Sequence, residues 1–542
     1  MTDDSFNLVD EPWIVVKNVT GTIETVSMRD IFHRAQDFRG LAGELPSQDF
    51  AVLRILLAVL YRVFNSEPLD EPTDAWGDLW DADNLPTEQI DAYLDKWHHR
   101  FNLFDPKVPF FQVADLQTAK GETRPLSLLI PDSPQEGGLF SMSRSYETIS
   151  AAQAARWIIH CQAYDVSGIK SGAVGDPRVK GGKGYPIGPG WAGWLGAITV
   201  TGDDLRETLL LNLVLTENVN PNDLPVWELA PLTAAPRENV TVSGPVTLMT
   251  WPQRRIKLFR NDAGEVVSVL VSNGDRISYE IQDLNEVMSG WRHSKPQSDI
   301  YKTTIYMPRG FDPAVKLWRG INAVLPTVTD GEVDRFKPCK VLEWSATLAR
   351  ENQLPRNYVT KINTVGVVYG PQSASWDEIF SDELQFNVQL AASESLPAKE
   401  TVYDAVGRAD DAIRALSRLA GALAIAAGGE SEGPSTKART LGYAAFDQPF
   451  RNWLAHFDPQ SDVEEALQQW TDQARHLIFR LGDDLCRSAS PAAWVGRTAT
   501  VNNQEQIFSV GKAEAIFKAA IWRALPPKQP VLTAERDYKS EE

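Results

Sequence analysis

Apolar positions recur with different periods along the chain, and each period predicts an element. Trp13-Ile14-Val15-Val16, then Gly21, then Ile23 to Val26 read as strand, turn and strand. A helix is predicted over residues 48–64, with Phe50, Leu53, Leu57, Leu60 and Phe64 on one face and Ser47 as its N-cap. A second runs through Ile90, Leu94 and Trp97, capped by Thr87. Residues 119–149 read as loop, 151–164 as helix, 168–196 as a long glycine-rich segment, 205–216 as helix, and 240–310 as short strands and turns. Near residue 391 the pattern changes. Four helical stretches follow, over about 396–427, 437–457, 461–488 and 505–524. Their breaks carry turn signals: Gly428-Gly429 with Gly433-Pro434, Asp458-Pro459, and residues 488–503. The predicted fold class is α+β. A large mixed domain with irregular sheets and long loops occupies residues 1–391, and a C-terminal four-helix bundle occupies 392–542. The polar tail after Pro526 reads as frayed.

Composition narrows the function class. A chain of 542 residues exceeds what one compact core holds. Its most apolar run, residues 50–64, is interrupted by Arg54 and Arg62, so no membrane span or membrane partner is expected. The start, Met1-Thr2-Asp3-Asp4-Ser5, lacks the basic-then-apolar pattern of a signal peptide. Cys161, Cys339 and Cys486 lie too far apart for a disulfide framework or a zinc site. A cytoplasmic protein without metal or cofactor is the expectation. The 17 tryptophans read as filling for a large, irregular core.

The net charge of −19 argues against a free-standing DNA binder, because phosphate contacts are what hold such proteins on DNA. Residues 392–542 hold 17 Lys and Arg against 21 Asp and Glu, a balance of −4, which leaves −15 for the rest. An acidic body with local basic loops fits a subunit whose partners supply most of the phosphate contacts.

The segment from Gly168 to Gly190 holds eight glycines, three lysines, one arginine and one acid. Glycine lets backbone approach a ligand, and exposed N–H groups suit phosphates or groove edges. Gly182-Lys183 lacks the glycine spacing and the following Ser/Thr of a P-loop, and no strand–turn–helix context makes a dinucleotide fingerprint. Two readings remain: a disordered surface loop, or a backbone-and-lysine contact to nucleic acid. Arg254-Arg255-Ile256-Lys257 and Arg292-His293-Ser294-Lys295 are basic patches, the first in a strand expected to expose one face. Arg408, Arg414, Arg418, Arg475, Arg480 and Arg487 offer an arginine face on the bundle. The histidines (His33, His98, His99, His160, His293, His456 and His476) form no metal-ligand spacing. No nucleophile elbow is present either, so no catalytic residue is assigned.

The opening Phe6-Asn7-Leu8-Val9-Asp10-Glu11-Pro12-Trp13-Ile14, with Ser27-Met28-Arg29-Asp30-Ile31, resembles the start of the CasA-type large subunit of type I-E CRISPR Cascade complexes. Pro109-Phe110-Phe111-Gln112, the passage from Gln162-Ala163 into the glycine segment, the helix from Asp204-Leu205-Arg206 to Leu211-Asn212, and the C-terminal bundle follow in the same order. The resemblance implies a non-catalytic subunit that reads a protospacer-adjacent motif on double-stranded DNA and opens the neighbouring duplex. It implies CRISPR RNA, the other Cascade subunits, target DNA and a recruited helicase–nuclease as partners. It carries the family's glycine loop onto Gly168, Ile169, Lys170 and Ser171, where Lys170 and Ser171 depart from glycine and would add a charged contact. It carries the glutamine wedge onto Gln372 in Tyr369-Gly370-Pro371-Gln372-Ser373-Ala374, and a loop that holds the subunit on the complex onto Phe140, Ser141 and Met142. It places a basic element near residues 280–295, for which Arg292 and Lys295 are the candidates. Some members carry extra cysteines that could hold zinc; this chain lacks them, and no metal is carried over. The alternative reading is a protein-interaction scaffold that does not touch DNA.

Overall fold

The computed structural model describes residues 5–131, 147–238, 240–327, 335–501 and 504–528. The chain divides into two compact units, Met1–Leu384 with Ala391–Ser393, and Gln385–Leu390 with Glu394–Glu542.

The first unit is mixed. Its opening strand Ile14–Asn18 lies between Ile23–Val26 and Phe38–Leu41, both antiparallel to it. The short helix Met28–His33 starts on a capping box. Ser27 Oγ accepts from the Asp30 amide at 3.0 Å, while Asp30 accepts from the Ser27 amide at 3.1 Å. The helix Pro46–Phe64 is the centre of this unit. Fourteen of its nineteen residues are buried, so it has no solvent face of the width its spacing suggested. Ser47 does not cap it. The helix begins one residue earlier, at Pro46, and the Ser47 hydroxyl instead pairs with His160 Nε2 at 2.9 Å. Likewise Thr87 is the first residue of the helix Thr87–Trp97, which has no side-chain cap. Burial all round forces internal pairing of the one charge mid-helix. Arg54 donates two bonds of 2.8 Å to Glu286, which also accepts from Trp191 Nε1 at 2.8 Å.

The helix Ala151–Tyr164 packs against this central helix. The hairpin Arg254–Arg260 with Val266–Asn273 lies beside it. Gln162 stands in for a strand residue there, accepting from the Arg254 amide at 2.8 Å and donating to the Arg254 carbonyl at 3.0 Å. A three-stranded sheet of order Trp376–Asn387, Val359–Tyr369, Ala197–Thr201 carries a tight turn at residues 370–375. A smaller sheet joins Trp291–His293 to Tyr306–Pro308 and Phe336–Lys337. The predicted helix at 205–216 is shorter, Leu205–Leu211. Asn212 ends it by bonding across to the amide and carbonyl of Val200.

The second unit holds four long helices: Leu396–Ala427, Glu432–His456, Val463–Arg487 and Val510–Ala524. The first packs against the other three, with Ala405, Ala409, Ala412, Ile413 and Leu416 fully buried along it. Two boundaries differ from the sequence reading. Gly433-Pro434 sits in the first turn of the second helix, where proline costs nothing because that amide has no helical acceptor. The strand Arg497–Val501 pairs antiparallel with Gln504–Phe508, so the last helix starts at Val510 rather than near 505. The α+β class with a C-terminal helical bundle stands. Among the described residues no helix is long and apolar enough to cross a membrane.

Candidate nucleic-acid interface

The glycine segment is a run of turns pinned by a short ribbon. Lys170–Ser171 pairs antiparallel with Lys183–Gly184, and the amide of Gly172 donates to the Gly182 carbonyl at 3.0 Å. Most of its glycines are explained by packing or by backbone conformation. A Cβ on Gly172 would sit 2.6 Å from Val179 Cγ1, and one on Gly190 would overlap the Ala163 backbone. Gly175, Gly181, Gly182 and Gly188 have positive φ (94°, 59°, 73° and 101°). Gly168 is the exception: its φ is not positive, and open space surrounds the place a Cβ would occupy. Nothing in the fold demands glycine there.

Lys170 is not the solvent-facing cation that the resemblance implied. Its ammonium lies 2.7 Å from Asp165 Oδ2 and its side chain is 9% exposed. Asp165 also binds the Arg254 guanidinium. Burial pushes the Asp165 carboxyl up, but Lys170 and Arg254 together outweigh that and hold it below the ordinary carboxylate value. The Arg254-Arg255 patch is likewise internal. Arg254 is 1% and Arg255 0% exposed, and Arg255 bonds Asp275 at 2.6 Å. The strand was expected to expose one face; instead Arg254, Arg255 and Ile256 are buried on both sides, and Lys257 is half-buried. Arg178 donates to Asp176 and to the carbonyls of Asn273 and Gly274.

Gln372 sits at the tip of the turn between the strands Val359–Tyr369 and Trp376–Asn387 and is exposed. Gln372 (φ 58°, ψ 19°) and Ser373 (φ 54°) are both left-handed, a conformation that costs a non-glycine residue about 1–2 kcal/mol. The turn is tied to the glycine segment, since the amide of Ser167 donates to the Ser373 carbonyl at 2.7 Å. Beneath it, Tyr369 Oη donates to the Tyr164 carbonyl at 2.7 Å. The Tyr369 ring packs against Trp376 at 5.3 Å, and Trp376 stacks on His160 at 5.6 Å. His160 is wholly buried, and burial pushes its imidazole down to about 3. This aromatic floor was not read from the sequence, since Tyr369 and Trp376 lie more than two hundred residues from His160. The turn composition Tyr369-Gly370 to Trp376 was the available signal.

Arg292 and Lys295 are exposed, on the strand Trp291–His293 and at the start of the helix Lys295–Tyr301. No hydrogen bond, ion pair or ring contact among the described residues joins them to the glycine segment or to the Gln372 turn. Phe140, Ser141 and Met142 lie outside the described residues. On the bundle, four of the six arginines are engaged: Arg408 with Thr471, Arg414 with Asp411, Arg475 with Asp472 and the Leu525 carbonyl, and Arg487 with Asp484. Cys161, Cys339 and Cys486 are separate and buried. Among the described residues no group of His, Cys, Asp and Glu could hold a metal ion.

The family model described as CRISPR-associated protein Cse1 matches residues 7–481. The CRISPR-associated protein CasA/Cse1 of Thermus thermophilus is 32% identical over 278 residues, 48% of this chain and 50% of that protein, so the match spans half the relative's length. The fold is similar to the crystal structure of Thermobifida fusca Cse1, with TM-score 0.87 and 40% identity over 96% of this chain and 98% of that one. It is similar also to Cse1 from Acidimicrobium ferrooxidans, with TM-score 0.79 and 29% identity over the same 96% and 98%. A chain described as part of a CRISPR RNA-guided surveillance complex shares the fold at TM-score 0.62 and 18% identity, over 89% of this chain and 99% of that one. The motifs that carried the resemblance are core elements here. Leu8, Val9 and Trp13 are fully buried, and Gln112 bonds the Leu103 carbonyl at 2.7 Å and the Leu258 amide at 2.9 Å. The chain belongs to the Cse1/CasA family of CRISPR-associated proteins.

Proposed function

We propose that this chain is the non-catalytic, motif-reading subunit of a type I-E CRISPR RNA-guided complex. In this reading it docks a short protospacer-adjacent motif on double-stranded DNA, starts strand opening beside it, and leaves sequence recognition to guide RNA pairing. A helicase–nuclease recruited after opening does the cutting. The observation that carries the proposal is the 2.7 Å bond from Ser167 N to Ser373 O, which joins the start of the glycine segment to the turn bearing Gln372. Two elements over two hundred residues apart are thus held as one unit. Gly168 offers unobstructed backbone, and Gln372 projects an exposed amide from a turn braced by Tyr369. Unstacking one base step costs on the order of a few kcal/mol, and a side chain presented on a stiff turn can fill the gap with little entropy loss. Arg292 and Lys295 are proposed as further duplex contacts, and Phe140, Ser141 and Met142 as the attachment to the complex.

The test uses the assembled complex and two targets, one fully paired and one with the base pairs next to the motif mismatched. Because position 372 is left-handed, Gln372→Gly removes the side chain without backbone strain, and Gln372→Asn shortens it. Both variants are expected to slow guide–target pairing on the paired duplex and to spare the pre-melted one. Equal defects on both targets, or none, would leave the scaffold reading standing instead.

A further inference from the structure

The antiparallel ribbon inside the glycine segment has an outward face that the Gln372 turn does not use. Lys170 pairs with Gly184 and Ser171 with Lys183, and the same register continued by one residue sets Ile169 opposite Tyr185. Alternation sorts the side chains. Lys170 turns inward to Asp165, while Lys183 and Tyr185 flank the buried Gly184 and point outward. Ile169 is 58% and Tyr185 54% exposed. Beyond them the chain closes in a two-residue hairpin. Lys180 and Lys183 exchange amide-to-carbonyl bonds of 3.0 and 3.1 Å around Gly181-Gly182, whose positive φ values make a type I′ turn. Lys180 and Lys183 therefore stand side by side on one face, both exposed.

Like charges directly opposite each other destabilise a hairpin. This chain carries −19 and neutralises the two other cations of the segment, Lys170 with Asp165 and Arg178 with Asp176. Among the described residues Lys180 and Lys183 form no ion pair. Arg124 adds a third cation beside the ribbon, 3.4 Å from Ser171 Oγ, with Glu122 at 3.6 Å from its guanidinium. The face thus combines an exposed aromatic ring, an aliphatic neighbour and a pair of unneutralised lysines. A duplex hides its base faces, and phosphates alone do not call for an exposed tyrosine. A single strand presents both phosphates and stackable bases.

We infer that the outward face of this ribbon binds single-stranded nucleic acid, with Tyr185 stacking on an unpaired base and Lys180 and Lys183 holding the adjoining phosphates. The inference shares with the proposed function the class of ligand and the glycine segment, and it assigns residues that reading does not use, Tyr185, Lys180 and Lys183.

The test measures binding of the purified full chain to a labelled oligothymidylate and to a blunt duplex across a salt series. Wild type is expected to bind the single strand. Tyr185→Leu should weaken that binding roughly 5- to 150-fold, the range of one lost base stack, and leave the salt slope unchanged. Tyr185→Phe should restore it. Lys180→Ala with Lys183→Ala should lower the salt slope by about 1.4, two contacts at about 0.7 each on a single strand. Duplex binding should not respond to Tyr185→Leu. Absence of single-strand binding by wild type, unchanged binding in the variants, or equal losses on duplex and single strand would each overturn the inference. The assay needs neither motif nor guide, so a failure of the Gln372 test leaves its outcome intact, and the reverse holds.

Discussion

Lys170 offers the sharpest test of how this interface is built. A phosphate contact and an internal brace predict opposite behaviour. The Lys170 ammonium, the Asp165 carboxylate and the Arg254 guanidinium form a cluster whose side chains are 9%, 5% and 1% exposed. Its net charge is +1. Lys170→Met removes one cation and leaves Asp165 paired with Arg254, so no buried charge is orphaned. The loss is the charge-assisted hydrogen bonding of one ammonium, about 1.5–3 kcal/mol. Asp165→Asn is worse, since it leaves two buried cations facing a neutral amide, a change that costs about 3–5 kcal/mol. Adding Lys170→Met to Asp165→Asn should then recover part of the loss. The cluster braces the glycine segment locally, so native-state hydrogen exchange reads it directly. The amide of Gly190 bonds the Asp165 carbonyl at 2.9 Å, and that of Gly172 bonds Gly182 at 3.0 Å. Lys170→Met should speed their exchange roughly 10- to 150-fold, the equivalent of about 1.5–3 kcal/mol. The salt slope of duplex binding by the assembled complex should not change. Unchanged exchange together with a slope reduced by about 0.9 would place Lys170 on a phosphate and refute the brace.

Other consequences follow from the same region. His160 titrates near 3 when folded and at 6.5 when unfolded, so the unfolded chain binds the extra proton between those values. The stability of the first unit should therefore be full above pH 6.5 and fall by about 2 kcal/mol by about pH 5. His160→Phe should remove up to one proton from that slope in urea titrations at several pH values. Tyr369→Phe deletes the 2.7 Å bond to the Tyr164 carbonyl. It should cost about 1 kcal/mol and slow guide–target pairing on paired duplex more than on a pre-melted one. Gly190→Ala should destabilise the first unit by more than 1 kcal/mol, read from its urea midpoint, because the new methyl meets the Ala163 backbone. Gly168→Ala, which meets nothing, should leave that midpoint within about 0.5 kcal/mol and weaken only duplex docking.

Periodicity made the bundle legible because each helix there shows one apolar face over many turns, as Ile413, Leu416 and Leu423 do. It blurred where burial is two-sided. The helix Pro46–Phe64 over most of its length and the strand Arg254–Arg260 at Arg254–Ile256 are buried on both sides, so neither shows the alternation that marks an exposed face. The antiparallel pair Arg497–Val501 with Gln504–Phe508 escaped because its Thr- and Gln-rich strands bury little. The glycine segment could be named from composition and Gln372 only from the family resemblance, but the link between them is a backbone bond, and no residue type announces a backbone bond. The inward turn of Lys170 was equally hidden. It depends on ribbon register against Asp165, five residues earlier on the far side of a helix end.

That hidden pairing changes what the charge pattern means. Read as sequence, the chain offers basic clusters at Lys170, at Arg254-Arg255-Lys257 and along the bundle. Folded, most of these cations answer the chain's own polar groups: Lys170 and Arg254 answer Asp165, Arg255 answers Asp275, Arg408 answers the Thr471 hydroxyl, and Arg414, Arg475 and Arg487 answer aspartates within the bundle. In the glycine segment the exposed lysines reduce to Lys180 and Lys183, and Arg292 and Lys295 are exposed elsewhere in the first unit. Two to four phosphate contacts on a body of −19 give a duplex affinity that collapses with modest salt. The free chain should then bind duplex DNA weakly, with a slope of no more than about 4, whereas the assembled complex should bind tightly with a steeper slope supplied by its other subunits. A free chain whose duplex binding is tight and insensitive to salt would mean that groove and base contacts, not partner-supplied phosphates, carry the affinity.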